Sequence, residues 1–383
     1  MNTVRLILLA SLGAAQTMSA DARGPEIVDV KLLTVLPADF RHPESLAADP
    51  ETGQLYVGSF DAREPSSARN NQILRLSGTG EVLARVTLGE TPLTGLAYSH
   101  GHIYFLNFAT SRLQRLPAAF VNGTAAEDIV SFSRLDPANP PPRDVPNPDG
   151  STDRVHFGAA RSPALNGLAF DSDGNAYVSD SFQGAIYRVD DAIGCGPCKV
   201  TVLARDGLLA TGAAMPFGAN GLAVDEVNGV LYVNNAGDGR VLRLPLAGGA
   251  IEIVAEGLYG ADGLLLHEGR LWVAANQIDS IVAIDTHGKV QVRAGSFKGI
   301  GVDGSPQGLL FPSDVISDGK RLVVANLALP LTSTEGDEWE EEVSRWNLME
   351  FEPPLPSVQD GSMHGGAAPP GGEARAGPSV GLP

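Results

Sequence analysis

Short stretches that alternate apolar and polar residues fill this chain, whereas long amphipathic helical patterns are scarce. A period of two predicts β-strands. One phrase recurs six times: a polar residue, a short apolar run, a turn with Asp, Asn or Gly, and a β-rich run that reaches an aromatic or apolar residue 10 to 12 positions after the first. The copies begin at Glu44, Thr94, Asn166, Asn220, Asp262 and Ser313. Such a repeat indicates one supersecondary unit copied around or along an axis.

Each unit predicts four strands, which is the make-up of a propeller blade. The phrase supplies the first two strands, and two further β-rich runs follow in most units, as at 185–189. We therefore predict an all-β, six-bladed β-propeller over residues 27–355. The ring must close, because an open sheet edge invites aggregation. The run 27–33 has no unit of its own, and we expect it to complete blade six beside 322–325 and 345–351.

Three segments fall outside the repeat. Arg5, the apolar stretch 6–15 and Ala20-Asp21-Ala22 are typical of a secretory signal peptide over residues 1–22. The mature protein is thus expected to be exported, either secreted or periplasmic. The proline-rich insertion 121–162 is predicted to be a loop that would lie over one face of the ring. Residues 356–383 are predicted to be a disordered tail.

Charge and cysteine content narrow the function classes. The net charge of −18 argues against a nucleic-acid partner, because phosphate backbones select clustered Lys and Arg. No segment after the signal peptide reaches the roughly 18 apolar residues of a membrane helix.

Cys195 and Cys198 form a Cys-Gly-Pro-Cys quartet, but they stand between predicted strands and not at the start of a helix. A local disulfide is the favoured interpretation, with a catalytic thiol as the alternative.

The first residue of each copy is the candidate site position. The innermost strand of every propeller blade lines the central channel, so one register repeated in six blades points to the same channel mouth. The six residues there offer two carboxylates, two amide carbonyls and two hydroxyls. Hard cations such as Ca²⁺ take oxygen ligands, whereas zinc recruits His or Cys. The competing interpretation is that Asn-Gly and Asp-Gly are only turn pairs, with Gly allowing a tight bend.

The ordered set Glu, Asn, Asn and Asp in blades one, three, four and five resembles that of the six-bladed calcium propellers, the family of gluconolactonases, regucalcin, diisopropyl fluorophosphatase and the paraoxonases. The resemblance covers about residues 27–355. It implies a Ca²⁺ ion held by Glu44, Asn166, Asn220 and Asp262. It also implies that Asp262 acts as base or nucleophile; the alternative is that Asp262 is only a ligand.

Departures from the family put the substrate in doubt. Blade two reads Thr91-Pro92-Leu93-Thr94-Gly95 and lacks the Asn-Asp-Gly stretch of the gluconolactonase-like members, which argues against a sugar lactone. Thr94, Ser313, His42 and His156 are further candidate pocket residues. We expect an exported calcium-dependent hydrolase that acts on a small-molecule lactone, ester or phosphoester at the channel mouth. The alternative is a non-catalytic propeller that binds a ligand or protein and has a structural metal.

Overall fold

The computed structural model describes residues 24–159, 162–332 and 334–355. The predicted signal peptide and tail lie outside these residues. The chain divides into two units, Met1–Glu352 and Pro353–Pro383, and every blade lies in the first. Each blade is a four-stranded antiparallel sheet, and the prediction of a six-bladed all-β propeller is confirmed.

Along the chain, each blade begins with its innermost strand. Blades one to three consist of Pro43–Ala48, Leu55–Ser59, Asn71–Leu76 and Val82–Gly89; of Leu93–Ser99, His102–Asn107, Arg112–Pro117 and Glu127–Ser131; and of Leu165–Phe170, Ala176–Asp180, Ala185–Asp190 and Lys199–Arg205. Blades four and five consist of Ala219–Asp225, Val230–Asn235, Arg240–Pro245 and Glu252–Glu256; and of Ala261–His267, Arg270–Ala275, Ser280–Asp285 and Val290–Ala294. Short 3-10 helices occupy Ser66–Ala68, Asn276–Ile278 and Trp339–Glu342.

The two chain ends meet in blade six. This blade consists of Pro312–Ser317, Leu322–Asn326, Asn347–Phe351 and the N-terminal strand Lys31–Val35, which runs antiparallel to Asn347–Phe351. The predicted closure is therefore confirmed. The structure adds one detail, because the segment before Lys31 joins a different blade: Glu26–Val28 pairs in parallel with the outer strand of blade five. This extra strand covers an edge that would otherwise present unpaired backbone groups.

The insertion 121–162 is more ordered than the loop expected from its prolines. It contains the outer strand of blade two, Glu127–Ser131, and a hairpin made of Arg143–Pro146 and Thr152–Val155. The hairpin closes through the turn at Asn147, where the Gly150 N–H donates to the Asn147 carbonyl and Gly150 adopts a φ of +86°. The Asn-Pro-Asp-Gly sequence at this point is a recognised turn signal. A second hairpin, Phe297–Ile300 with Pro306–Gly308, precedes blade six.

The hydrophobic core is a ring of contacts between blades. Six buried clusters each join two adjacent blades, and the cluster that includes Tyr104 and Leu106 of blade two with Leu168 and Val178 of blade three is one example. The alternation of the strands places these side chains on the sheet faces, where neighbouring blades bury them.

Two further features concern the periphery of the ring. Cys195 and Cys198 are joined in a disulfide within the connection between the third and fourth strands of blade three. No helix among the described residues is long and apolar enough to cross a membrane.

Candidate metal and active site at the channel mouth

A β-bulge marks the start of the repeated phrase in all six blades. The pairing between the first and second strands shifts register at Glu44, Gly95, Asn166, Asn220, Asp262 and Ser313, or at the glycine that follows. Bulges redirect side chains and are frequent beside active sites. In five blades the bulge includes the first residue of the phrase, the position expected to face the channel mouth; in blade two it falls at Gly95, and Thr94 stays paired with Leu106.

Four of the six phrase-initial residues form a floor between two cavities. Glu44, Asn166, Asn220 and Asp262 line both the channel cavity of about 120 Å³ and a smaller cavity of about 40 Å³. All four are buried, with exposed fractions between 5% and 9%. These are the residues that the sequence proposed as metal ligands, and the propeller brings them to one place from four blades.

The two hydroxyl residues have a different role from the other four. Thr94 lines only the smaller cavity, and its hydroxyl donates to the Leu165 carbonyl at 2.7 Å. Ser313 lines only the channel cavity, and its hydroxyl donates to the Pro43 carbonyl at 3.1 Å. These bonds tie blade two to blade three and blade six to blade one, so both hydroxyls serve the contacts between blades.

The glycine that follows the site residue is explained by packing. A Cβ atom at Gly167 would lie 2.2 Å from the Asn220 carbonyl oxygen, and one at Gly221 would lie 2.3 Å from the Asp262 carbonyl oxygen. Neither glycine has a positive φ. The turn interpretation therefore does not account for them; the close approach of the next blade does. Of the four glycines that follow the site residue, only Gly95 combines a positive φ, +38°, with such a contact.

Three buried carboxyl groups face one another across this region. Burial raises the pKa of Glu44 well above its usual range, and the charges of Asp262 and Asp314 raise it further. Burial raises the pKa of Asp262 to about 8; the charge of Asp314 adds to this, and hydrogen bonds from Asn276 and Asn220 oppose it. Burial raises the pKa of Asp314 to about 6 against hydrogen bonds from the backbone of Leu46 and Val315.

The chemistry of this floor suits a hard divalent cation. The Glu44 Oε2 atom is buried and has no hydrogen-bond partner among the described residues. Buried carboxylates require a cation or donors to remain ionised, and the charged groups that act on Glu44 are themselves carboxyls. Carboxylate and amide oxygens without nitrogen or sulfur are the ligands that Ca²⁺ takes. Glu44, Asn166, Asn220 and Asp262 thus fit the ion that the sequence suggested.

Sequence reasoning missed two residues of this site. Asp314 lines the channel cavity at the position where copies two to five have Gly, and its Oδ2 accepts the Leu46 N–H at 2.8 Å. The acid at that position was the available signal. Asn276 lies just after the second strand of blade five, and its Nδ2 donates to the Asp262 Oδ2 at 3.0 Å. No repeated pattern marks Asn276, because only the fold brings it to Asp262.

Neither candidate histidine lines the two cavities. His42 is buried, and its Nδ1 donates to the Leu327 carbonyl at 3.1 Å, which fixes the proton on Nδ1. Burial lowers the pKa of His42 to about 4, and its ring packs edge-on against Trp346. His156 lines a separate depression with Phe157 and Arg205.

A second acidic group lies on the connection that leads to the last strand of blade six. Potential ligand atoms of Asp337, Glu338 and Glu341 come within 4.8 Å of one another. Two of these side chains are exposed, and all three already accept hydrogen bonds from Thr332 or from the Gly336 N–H. An acidic surface cluster of this kind is common without a metal ion.

The comparisons with known proteins bear on the fold. No protein-family model and no curated protein matches the chain. A luciferin-regenerating enzyme matches in structure with a TM-score of 0.53 and 18% identity over 81% of this chain and 91% of its own. A regucalcin from Agrobacterium tumefaciens, described as a calcium-binding protein, matches with a TM-score of 0.53 and 15% identity over 85% of this chain and 94% of its own. The protein is therefore a six-bladed β-propeller similar in fold to these gluconolactonase-like propellers.

Proposed function

We propose that the protein is an exported, calcium-dependent hydrolase that acts on a lactone, ester or phosphoester at the channel mouth. One observation carries the proposal: four bulges bring two buried carboxylates and two amides to a floor that lies beneath a cavity at the mouth. Glu44, Asn166, Asn220 and Asp262 would hold the ion. Four protein ligands are fewer than the 6–8 that Ca²⁺ takes, which leaves positions for water and substrate.

The residues of the floor would either coordinate the ion or act on water and substrate. A bound calcium would supply Lewis-acid polarisation of a carbonyl or phosphoryl oxygen. Asp262 is oriented by the Asn276 amide, which leaves the rest of its carboxylate directed toward the floor and the cavity it lines. In that position Asp262 would take a proton from water or attack the substrate directly. Asn276 fixes Asp262 in one orientation and acts through it, as a positioning residue.

A non-catalytic propeller is the second candidate, and the buried carboxyls favour it as well. A cation that relieved the repulsion among Glu44, Asp262 and Asp314 would stabilise the ring whether or not any chemistry followed. The two candidates differ in whether a substrate can reach the bound ion. An enzyme requires a cavity directly above the ion, and the cavity over Glu44 and Asp262 meets that requirement.

The test combines metal content, stability and turnover. The protein without residues 1–22 is purified, its calcium content is measured, and its melting temperature is recorded with and without chelator. A screen of aryl esters, lactones and phosphotriesters follows. One bound calcium, a large drop in melting temperature with chelator and chelator-sensitive hydrolysis support the enzyme. Bound calcium without turnover of any compound favours the binding propeller, and no bound metal removes both.

One variant and one expression experiment complete the test. Asp262→Asn is expected to keep the fold and lose most hydrolysis, so full activity would remove Asp262 from the mechanism. Expression of all 383 residues in a secreting host is expected to yield an extracellular or periplasmic protein that begins at Arg23. Retention of the intact N-terminus in the cytoplasm would contradict export.

A further inference from the structure

The connection between the third and fourth strands of blade three, residues 191–198, carries chemistry that the channel mouth does not use. Cys195 and Cys198 are joined there in a disulfide, with a sequence separation of 3. The strands of the blade are antiparallel, so the connection after the third strand lies at the end of the sheet opposite to Asn166. This connection, which we call the disulfide loop, therefore does not help to hold the proposed calcium ligands.

The disulfide loop keeps its shape through bonds other than the disulfide. The Asp191 carbonyl accepts the N–H groups of Gly194 at 3.0 Å and of Cys195 at 2.8 Å. The Arg115 guanidinium of blade two donates to the Ile193 carbonyl at 3.0 Å. The two flanking strands are paired with each other up to the residues that begin and end the loop. Opening the disulfide would leave all of these bonds in place.

The disulfide itself closes a very short segment. A cross-link stabilises a fold largely by restricting the unfolded chain, and this restriction grows with the number of residues enclosed. Two cysteines separated only by Gly196 and Pro197 remain close together even in the unfolded chain. A structural cross-link would enclose a longer segment or join two blades, and this disulfide does neither. Its contribution to the stability of the propeller is therefore small.

The disulfide loop is accessible to another molecule. Gly194, Gly196 and Pro197 are exposed, and Cys195 and Cys198 are half-buried. A Cβ atom added at Gly196 would meet no atom of the described residues within 4 Å, so the space beside the disulfide is open. Exposed disulfides are the labile ones, whereas structural disulfides resist reduction by thiols. The position of this disulfide thus permits attack by a thiol on the folded protein.

The local backbone suits a partner in exchange and not the enzyme that drives it. Reactive cysteines at the N-terminal end of a helix have a lowered thiol pKa, because the helix stabilises the thiolate. Cys195 instead stands at the C-terminal end of a single turn, and its own N–H is already bonded to the Asp191 carbonyl. The pair therefore lacks the feature that would make it the attacking group.

We propose that the Cys195–Cys198 disulfide is a thiol–disulfide exchange site, which a protein dithiol reduces while the propeller stays folded. A thiolate of the dithiol bonds to one of the two sulfurs, the S–S bond breaks, and the released cysteine takes a proton. The second thiol of the dithiol then loses its proton and bonds to the first, which releases the other cysteine to take a proton in turn. Two electrons pass from the dithiol to the disulfide. The inference goes beyond the proposed hydrolase function and does not depend on it.

The test counts thiols in the folded protein. The protein without residues 1–22 is incubated without denaturant with reduced thioredoxin, which its reductase and NADPH regenerate, and is then alkylated with iodoacetamide. We expect two added groups per chain by mass spectrometry, with a circular dichroism spectrum and a calcium content equal to those of the oxidised protein. Thiols that become available only in guanidinium chloride would overturn the proposal, as would loss of the folded spectrum on reduction.

Trapping of the intermediate and a variant separate exchange from structural support. Thioredoxin that lacks its second active-site cysteine should form a one-to-one mixed disulfide with the wild-type protein, which dithiothreitol dissolves. It should form none with the double variant Cys195→Ser, Cys198→Ser. The double variant should melt within roughly 5 °C of the oxidised wild type, because the short segment contributes little stability. Absence of the adduct, or a larger fall in melting temperature, would make the disulfide a structural cross-link and overturn the proposal.

Discussion

Replacing Asp262 with Asn is expected to stabilise the metal-free protein while removing its response to calcium. In metal-free protein, burial raises the pKa of Asp262 from its ordinary 3.8 to about 8. A carboxyl whose pKa is raised by folding opposes folding as the pH rises above its unfolded value, and the full penalty is reached above the folded value. At pH 7 the penalty is roughly 4 kcal/mol, since each pH unit between 3.8 and 7 contributes about 1.4 kcal/mol.

The net effect of Asp262→Asn is smaller than this penalty. An Asn side chain at this position directs its own N–H₂ at one of the two amide donors, Asn276 or Asn220, at a cost of roughly 1–2 kcal/mol. We therefore expect a gain of about 2 kcal/mol at pH 7 in chelator. The gain should shrink as the pH falls toward 4 and turn into a small loss there, because the ionisation penalty of Asp262 disappears as the pH approaches its unfolded pKa of 3.8.

Calcium should reverse the order of stability. The wild-type protein gains about 2.7 kcal/mol when calcium is present at 100 times its Kd, whereas a variant that binds poorly gains little. The assay is urea unfolding of both proteins from pH 5 to 8.5, in chelator and in calcium. Asp49→Asn is the control, because Asp49 lies in a turn of blade one outside the site; burial opposes its ionisation, but hydrogen bonds from the Thr52 hydroxyl and the Glu51 N–H outweigh burial and lower its pKa.

The control variant should be less stable than wild type in both conditions and should keep the calcium response. If Asp262→Asn behaves like Asp49→Asn, with lower stability in chelator at every pH, then ionisation of the Asp262 carboxyl does not destabilise the metal-free fold. The reasoning about the floor would then be refuted.

Four further predictions address the same floor. Glu44→Gln should weaken calcium binding at least tenfold by calorimetry, since it removes one of two carboxylate ligands; unchanged affinity would exclude Glu44 as a ligand. Calcium affinity should rise between pH 6 and 8, because binding must release the proton that Asp262 carries below a pKa of about 8; calorimetry in buffers of different ionisation enthalpy would detect that proton, and its absence would contradict the assignment. Asn276→Ala should lower kcat roughly 10–100-fold with little change in KM or calcium content, and a loss of calcium would instead make Asn276 a ligand. Gly221→Ala should destabilise the fold by several kcal/mol, because its Cβ would lie 2.3 Å from the Asp262 carbonyl oxygen, while Gly212→Ala, with nothing within 4 Å, should be nearly neutral in urea unfolding.

The sequence predicted the blades because each blade repeats a local rule. The alternation of residues within a strand, the turn residues and the period of about fifty residues act over short distances, and copies of them are visible in the printed chain. Ring closure was also predictable, since the run 27–33 had no unit of its own and an open edge had to be covered. The split of that run, with Glu26–Val28 on blade five and Lys31–Val35 on blade six, was not predictable, because it depends on the spacing between two blade edges.

Repetition likewise revealed the metal candidates. Glu44, Asn166, Asn220 and Asp262 stood out as oxygen-bearing residues at one register, and the bulges at that register show why a common position faces the mouth. The competing turn interpretation fails for Gly167 and Gly221, since a sequence shows a glycine but not the carbonyl oxygen of the next blade that excludes a side chain there.

Only the tertiary structure could supply the residues outside the repeat. Asn276 meets Asp262 because a 3-10 helix turns back over the blade, and Asp314 meets Glu44 because the ring closes blade six onto blade one. The wall of the smaller cavity is built from five connections separated by up to 271 positions, from Phe60 to Leu331. A sequence determines what repeats along the chain, because secondary-structure propensity and hydrophobic periodicity depend only on neighbouring residues. It does not determine which loops meet over the channel, because that depends on how six blades close into one ring.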